Sequence, residues 1–86
     1  MRSSGTDDFW RLYRLLPVQA RTQARQAYLL FMSNPDHTSL RFKKLNGPRN
    51  FWSVRFGGGY RAVCERDGDS VIWLWIGTRQ DFGKAF

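Results

Sequence analysis

Five cations in this chain fall on a spacing that could serve an anion. In Leu40–Leu45, Leu40 and Phe42 alternate with Arg41 and Lys43, the period of two expected of a half-buried strand. Phe51–Phe56 puts Trp52, Val54 and Phe56 on one face and Ser53 and Arg55 on the other. Tyr60–Glu65 divides in the same way, with Tyr60, Ala62 and Cys64 opposite Arg61, Val63 and Glu65. If the apolar sets face a core, then Arg41, Lys43, Arg55 and Arg61 collect on the far side of adjacent strands, and Arg79 can join them from just past the next strand. Like charges set side by side on a sheet cost stability, so such a cluster with few acids near it is best explained by an anion that it holds. The plainer account is a charged face whose long side chains splay into solvent.

Other kinds of chemistry find little support. One His (His37) and one Cys (Cys64) make no zinc-ligand spacing, and no metal or cofactor is implied. There is no GxxxxGK[ST] loop, and Gly57-Gly58-Gly59 lies between strands, not before a helix. Glu65 is the only Glu and the Asp residues sit at turns and caps, which argues against a catalytic carboxylate pair. His37, in the loop after Asn34-Pro35, has no orienting partner in the pattern and reads as structural. What remains is chemistry run by cations. RNA carries its own nucleophile, the 2′-hydroxyl, and a protein need only orient it, stabilise the extra negative charge on phosphorus and manage two protons. Arginine suits the charge. A lysine set among arginines has its charged form disfavoured and gives up its proton more readily; Lys43 or Lys44 could serve as that base.

The elements that must position these residues are legible from periodicity. Asp67-Gly68-Asp69-Ser70 between two apolar runs is a hairpin signal, since Gly accepts the positive φ of a tight turn. The second run, Val71–Ile76, is apolar at every position, which places it at the centre of a sheet; simple alternation puts Trp73 and Trp75 on one face and Ile72, Leu74 and Ile76 on the other. Upstream, Thr6 or Asp7 can cap a first helix whose apolar stripe is Phe9, Leu12, Tyr13 and Leu16. Pro17 ends it and can open a second helix running to Met32, with a stripe of Ala20, Ala24, Ala27, Tyr28 and Phe31; Arg21 and Arg25 form a ridge that reads as a solvated face. The small residues let the two helices approach closely as a hairpin. After Gly77 come Thr78-Arg79-Gln80-Asp81-Phe82 and then a short tail, Gly83–Phe86, with no further element expected. Helices followed by strands predict an α+β fold: a helical hairpin on one face of a four-stranded antiparallel sheet, in one domain spanning 1–86.

Composition bounds the partners. Fourteen Lys and Arg against seven Asp and Glu give a net charge of +7 over 86 residues, and eleven of the fourteen are Arg, whose planar fork matches phosphate and carboxylate. That balance points to a polyanion, either nucleic acid or an acidic protein. No apolar run approaches the roughly 20 residues of a membrane span, no signal-peptide pattern opens the chain, and a single cysteine suits a reducing cytosol. A cytoplasmic protein with no membrane partner is the expectation.

Three blocks in order, LRFKKL, WSVRFGGGYRAV and VIWLWIGTRQDF, following a helical pair that ends in Asn-Pro, resemble the RelE/ParE superfamily of bacterial toxin–antitoxin toxins. The nearest pattern is SLRFKR, then YSVRIGRGYRAL, then WFWIGSHDDYD. The resemblance covers nearly the whole chain. It implies a small α+β toxin fold, an acidic antitoxin that wraps it, and one of two activities: metal-independent cleavage of mRNA on the ribosome, as in RelE-like members, or inhibition of DNA gyrase, as in ParE-like members. A basic binding domain without catalysis is the further alternative. By motif, the resemblance assigns Lys43, Lys44, Arg55, Arg61 and Arg79 to a RelE-like catalytic site, with Arg41 and Phe82 contacting substrate. The family His of the GSH block is Arg79 here, and the Tyr of DYD is Phe82. Many relatives also have a short strand before the first helix, for which the sequence gives no signal.

Overall fold

A computed structural model describes residues Met1–Phe86. Strand β1 (Arg2–Gly5) is followed by helices α1 (Asp7–Leu15) and α2 (Val18–Ser33), a 3-10 turn at Thr38–Leu40, strands β2 (Lys43–Lys44), β3 (Phe51–Phe56), β4 (Tyr60–Asp67) and β5 (Ser70–Thr78), and helix α3 (Arg79–Ala85). The strands form one five-stranded sheet in the order β1-β5-β4-β3-β2. The α+β class and the antiparallel run β2 to β5 are as expected, and β3 keeps the limits read from its alternation. The sheet has one strand more: β1 lies parallel to β5, with Arg2 opposite Ser70 and Gly5 opposite Trp73. RSSG carries no apolar alternation, so pairing through its backbone leaves no mark in the side chains. This strand is why β5 is internal to the sheet.

Local chemistry sets the helix limits. Thr6, not Asp7, caps α1: its hydroxyl accepts from Phe9 N at 3.1 Å, and Asp7 and Asp8 sit in the first turn, where the helix dipole favours negative charge. Pro17 closes α1 and stands at the N-cap of α2, and Asn34 ends α2. The ridge arginines are not merely solvated. Arg25 donates to the Tyr13 hydroxyl at 2.9 Å and Arg21 to the Arg14 carbonyl at 3.3 Å, so both bridge α2 to α1. The core lies between the helices and one sheet face and is built from Phe9, Leu16, Ala20 and Phe31 above and Val54, Phe56, Ala62, Cys64, Val71, Trp73 and Ile76 below, with Leu40 closing one side.

The expected even alternation of β5 fails at one place. Cys64 pairs with Trp73 while the adjacent Val63 pairs with Trp75, so β5 carries one extra residue, Leu74, against β4. A bulge of this kind shifts every later side chain to the other face. Trp73 therefore stays in the core against Phe9 and Phe31, whereas Trp75 turns to the far face and packs on Phe82 and Phe86. Ile76 takes the core position instead, 3% exposed. The unexpected helix α3 thus finds an aromatic footing on the sheet face opposite α1 and α2. Its start was readable after the fact, since Thr78 caps it by accepting from Asp81 N at 3.1 Å.

The Leu40–Leu45 segment also departs from a simple strand. His37 Nδ1 accepts from Ser39 N at 3.2 Å and caps the 3-10 turn, a structural role for the lone histidine. Arg41 then takes a left-handed conformation, φ 47°, and the strand shortens to Lys43 and Lys44, opposite Ser53 and Trp52. Leu40 and Phe42 still turn inward, Leu40 into the core and Phe42 onto Phe31 and Trp52.

Candidate functional site: a cation pocket at one end of the sheet

β3 and β4 bring Arg55 and Arg61 directly opposite one another, as Cα partners in an antiparallel pair. Lys43 arrives from β2, opposite Ser53. Arg79 arrives from the first residue of α3, whose backbone N donates to the Gly59 carbonyl at 2.8 Å and so ties α3 to the β3–β4 turn. The left-handed residue Arg41 supplies the fifth cation. These side chains, with Phe42, Gly58 and Tyr60, line a hollow of about 490 Å³. Gly58 has φ 76° and no atom near its missing side chain, so the rim stays open there.

The pocket is electrostatically unrelieved. The ion pairs of the chain are Met1–Asp69, Arg11–Asp8 and Arg49–Glu65, and none uses a pocket cation. Arg61 records the strain: burial, and then the charges of Arg79, Arg55 and Arg41, hold its guanidinium below the usual arginine range. What supports it is aromatic. The Arg61 guanidinium carbon stands 5.1 Å from the centre of the Phe82 ring, a cation–π contact worth about 0.5–1 kcal/mol where exposed. Phe82 in turn rests on Trp75 and Phe86. The bulge at Leu74 thus reaches the site through Trp75, Phe82 and Arg61.

Of the seven residues singled out from the sequence, Arg41, Lys43, Arg55, Arg61 and Arg79 meet in this pocket, and Phe82 lies against Arg61. Lys44 does not join them. The alternation of β2 turns it away, and its Nζ donates to the carbonyls of Leu45 and Gly47 at 3.4 and 3.3 Å. Tyr60 and Gly58 line the pocket without having been singled out; the only hint was their place in the turn beside Arg61. Chemically, the arrangement can hold a phosphate from several sides, stabilise added negative charge and present one primary amine.

A second hollow, of about 280 Å³ and mostly apolar, opens between α1 and α2 above Trp73 and Ile76, with Trp10, Tyr13 and Tyr28 on its walls. It carries no comparable set of chemical groups.

Comparison with known proteins gives consistent results. Residues 18–84 match the family model described as a ParE-like toxin domain. Among solved structures, the RelB–RelE antitoxin–toxin complex from Methanococcus jannaschii aligns with a TM-score of 0.75 at 20% identity, covering 95% of this chain and 96% of that one. YafQ from Escherichia coli strain BL21(DE3) gives 0.74 at 12% identity over 95% and 98%. The YoeB/ParE toxin from Agrobacterium tumefaciens gives 0.72 at 15% over 92% and 99%. Among curated proteins, none matches the chain in sequence.

Proposed function

This chain belongs to the ParE-like toxin domain family, and from that premise we propose that it is a RelE-like ribosome-dependent mRNA endonuclease, held in check by an acidic antitoxin in the bacterial cytoplasm. The observation that carries this reading is the convergence of Arg41, Lys43, Arg55, Arg61 and Arg79 on one pocket without a carboxylate partner. A surface built only to be soluble has no reason to hold like charges together.

In the reaction, Arg55 and Arg61 bind the phosphodiester that will break, and Arg79 and Arg41 approach the same group from the sides. Lys43 assists removal of the proton from the 2′-hydroxyl. The 2′-oxygen then bonds to phosphorus and the bond to the 5′-oxygen breaks, the leaving oxygen being protonated from solvent. A 2′,3′-cyclic phosphate and a 5′-hydroxyl result. No metal enters, because the guanidinium groups meet the charge that develops on the phosphoryl oxygens. With Lys44 turned to the Leu45 and Gly47 carbonyls, Lys43 is the better of the two bases. Phe82 holds Arg61 rather than moving a proton, since its ring has no polar atom.

A second reading is inhibition of DNA gyrase, favoured by the ParE-like description of the family model. The two separate in one pair of assays. The nuclease reading expects a translated message to be cut on purified ribosomes, with cutting lost in Arg61→Ala. No cutting by the wild-type protein, together with inhibition of purified gyrase, replaces it with the ParE-like reading.

A further inference from the structure

Beside the cation pocket, and continuous with it, lies a larger hollow of about 670 Å³ between α2, the 3-10 turn and the β3–β4 turn. The two share Arg41, Arg55 and Gly58. Its walls are polar in a different way. Gln23 and Gln26 come from one face of α2, at a spacing that also brings Ala27 and Leu30 to the floor, and Thr38 and Ser39 face them from the 3-10 turn. The side-chain hydrogen bonds of α2 come from Arg21, Thr22, Arg25 and Ser33, which leaves both glutamine amides free. Gln23 is set against Gly57, which has φ 60° and leaves no room for a side chain of its own. No acid lines the hollow, and its size lies within the range of roughly 300–1,000 Å³ usual for small-ligand sites.

We propose that this hollow receives the nucleobase next to the scissile phosphate, and that Gln23 and Gln26 select it. The proposal rests on the nuclease reading and names how that site chooses its substrate. Single-stranded RNA is recognised by splaying bases out and hydrogen-bonding their edges, while cations fix the backbone. That division of labour matches the two hollows: cations without amides in one, amides beside two of the same cations in the other. A glutamine amide offers one donor and one acceptor side by side, the pattern that pairs bidentately with the N6 and N7 of adenine. Arg41 and Arg55, on the border, span from the phosphate that breaks to the one beyond the selected base. Leu30 and Ala27 supply an apolar floor for its ring.

The test maps cleavage sites on a translated message and measures binding of short oligoribonucleotides that differ in one flanking base, by fluorescence anisotropy. Wild-type protein, the double variant Gln23→Ala/Gln26→Ala and the single variant Gln26→Glu are compared, with thermal melting to show that each is folded. The wild type should favour adenine at one flanking position by about fivefold to a hundredfold. The double variant should lose that preference, and Gln26→Glu should move it toward cytosine, whose N4 donates to a carboxylate. An unchanged base profile in both variants overturns the proposal and leaves the nuclease reading standing. A wild-type protein that neither cuts nor binds any of the oligonucleotides overturns both. Selective binding that the variants lose, without cutting, supports the selector and removes the nuclease.

Discussion

Arg55 and Arg61 stand directly across from one another on β3 and β4, two like charges paired where a sheet ordinarily sets opposite or neutral ones. The fold tolerates them at a cost in stability, and the cost has a definite sign. Arg61 is held below its ordinary pKa by burial and by neighbouring arginines. Below both its folded and unfolded values it is charged in both states, so the penalty is fully present. Only in the alkaline window between those values does stability rise with pH, as the folded state sheds the proton first.

Arg61→Ala is therefore expected to do two opposite things. Cutting of a translated message should fall by about 10²–10³, the usual cost of removing one donor to developing charge. Melting at low salt should move up, with the gain shrinking as salt screens the remaining cations. Arg21→Ala, remote from the pocket on α2, should leave cutting nearly unchanged. A variant of Arg61 that cuts normally would remove this arginine from the chemistry.

Phe82 should act through Arg61. Phe82→Ala withdraws the ring 5.1 Å from the guanidinium carbon and half the footing of α3, so cutting should drop and protease sensitivity near α3 should rise. Phe82→Tyr keeps the ring and adds a phenol beside the pocket, and should raise the cleavage rate without moving the melting temperature by more than about 2–4 °C, since a change at a solvent-accessible position is worth only about ±0.5 kcal/mol. Equal rates for Phe82→Tyr and the wild type would mean that the site has no use for a hydroxyl there.

Two serines should respond to alanine with opposite signs. The Ser3 hydroxyl accepts from Trp73 Nε1 at 3.0 Å, and Ser3→Ala leaves an indole N–H without its partner, a loss of about 1–3 kcal/mol in equilibrium unfolding. Ser53 is fully buried with an unpartnered hydroxyl. Ser53→Ala removes that burden and should be neutral or stabilising by up to about 1 kcal/mol. Denaturant melts of the two variants against the wild type decide both.

Cys64 should be chemically silent in the folded protein. Burial pushes its thiol up to about 12, opposed by the charge of Arg66. At pH 8 an alkylating reagent should modify it only as fast as the fold opens, and adding denaturant should accelerate the reaction steeply. Rapid alkylation under native conditions would show that the core over Cys64 opens far more readily than its packing suggests.

How much of this was legible depended on whether side chains or backbone carried the signal. The alternation in Phe51–Phe56 and Tyr60–Glu65 gave both strands and the faces of Arg55 and Arg61, because one buried face forces a period of two. Lys44 enters only as the lysine adjacent to Lys43; the alternation that places Lys43 with Arg41 sends Lys44 to the other face, where its Nζ donates to the Leu45 and Gly47 carbonyls. Trp75 escaped because a bulge is one extra residue in a run apolar throughout, where nothing marks the slip. The strand Arg2–Gly5 escaped because its place is fixed by backbone pairing with β5, and its polar side chains say nothing of it. Helix α3 left one sign, Thr78 and Asp81 at capping distance, but its apolar contacts are two phenylalanines too few to make a stripe.

The parallel pairing of β1 with β5 also governs when the molecule can come together. Ser3 and Trp73, joined by a hydrogen bond, are 70 residues apart in the chain. β1 must wait, unpaired, until β5 has been synthesised, and contacts of such long sequence separation slow folding because loop closure precedes any gain. Arg79 is later still, and it reaches the pocket only once α3 has docked against the β3–β4 turn. A nascent chain therefore carries Arg41, Lys43, Arg55 and Arg61 without the last member of their group. The set is complete only when the chain has been made as far as Arg79 and α3 lies against the β3–β4 turn.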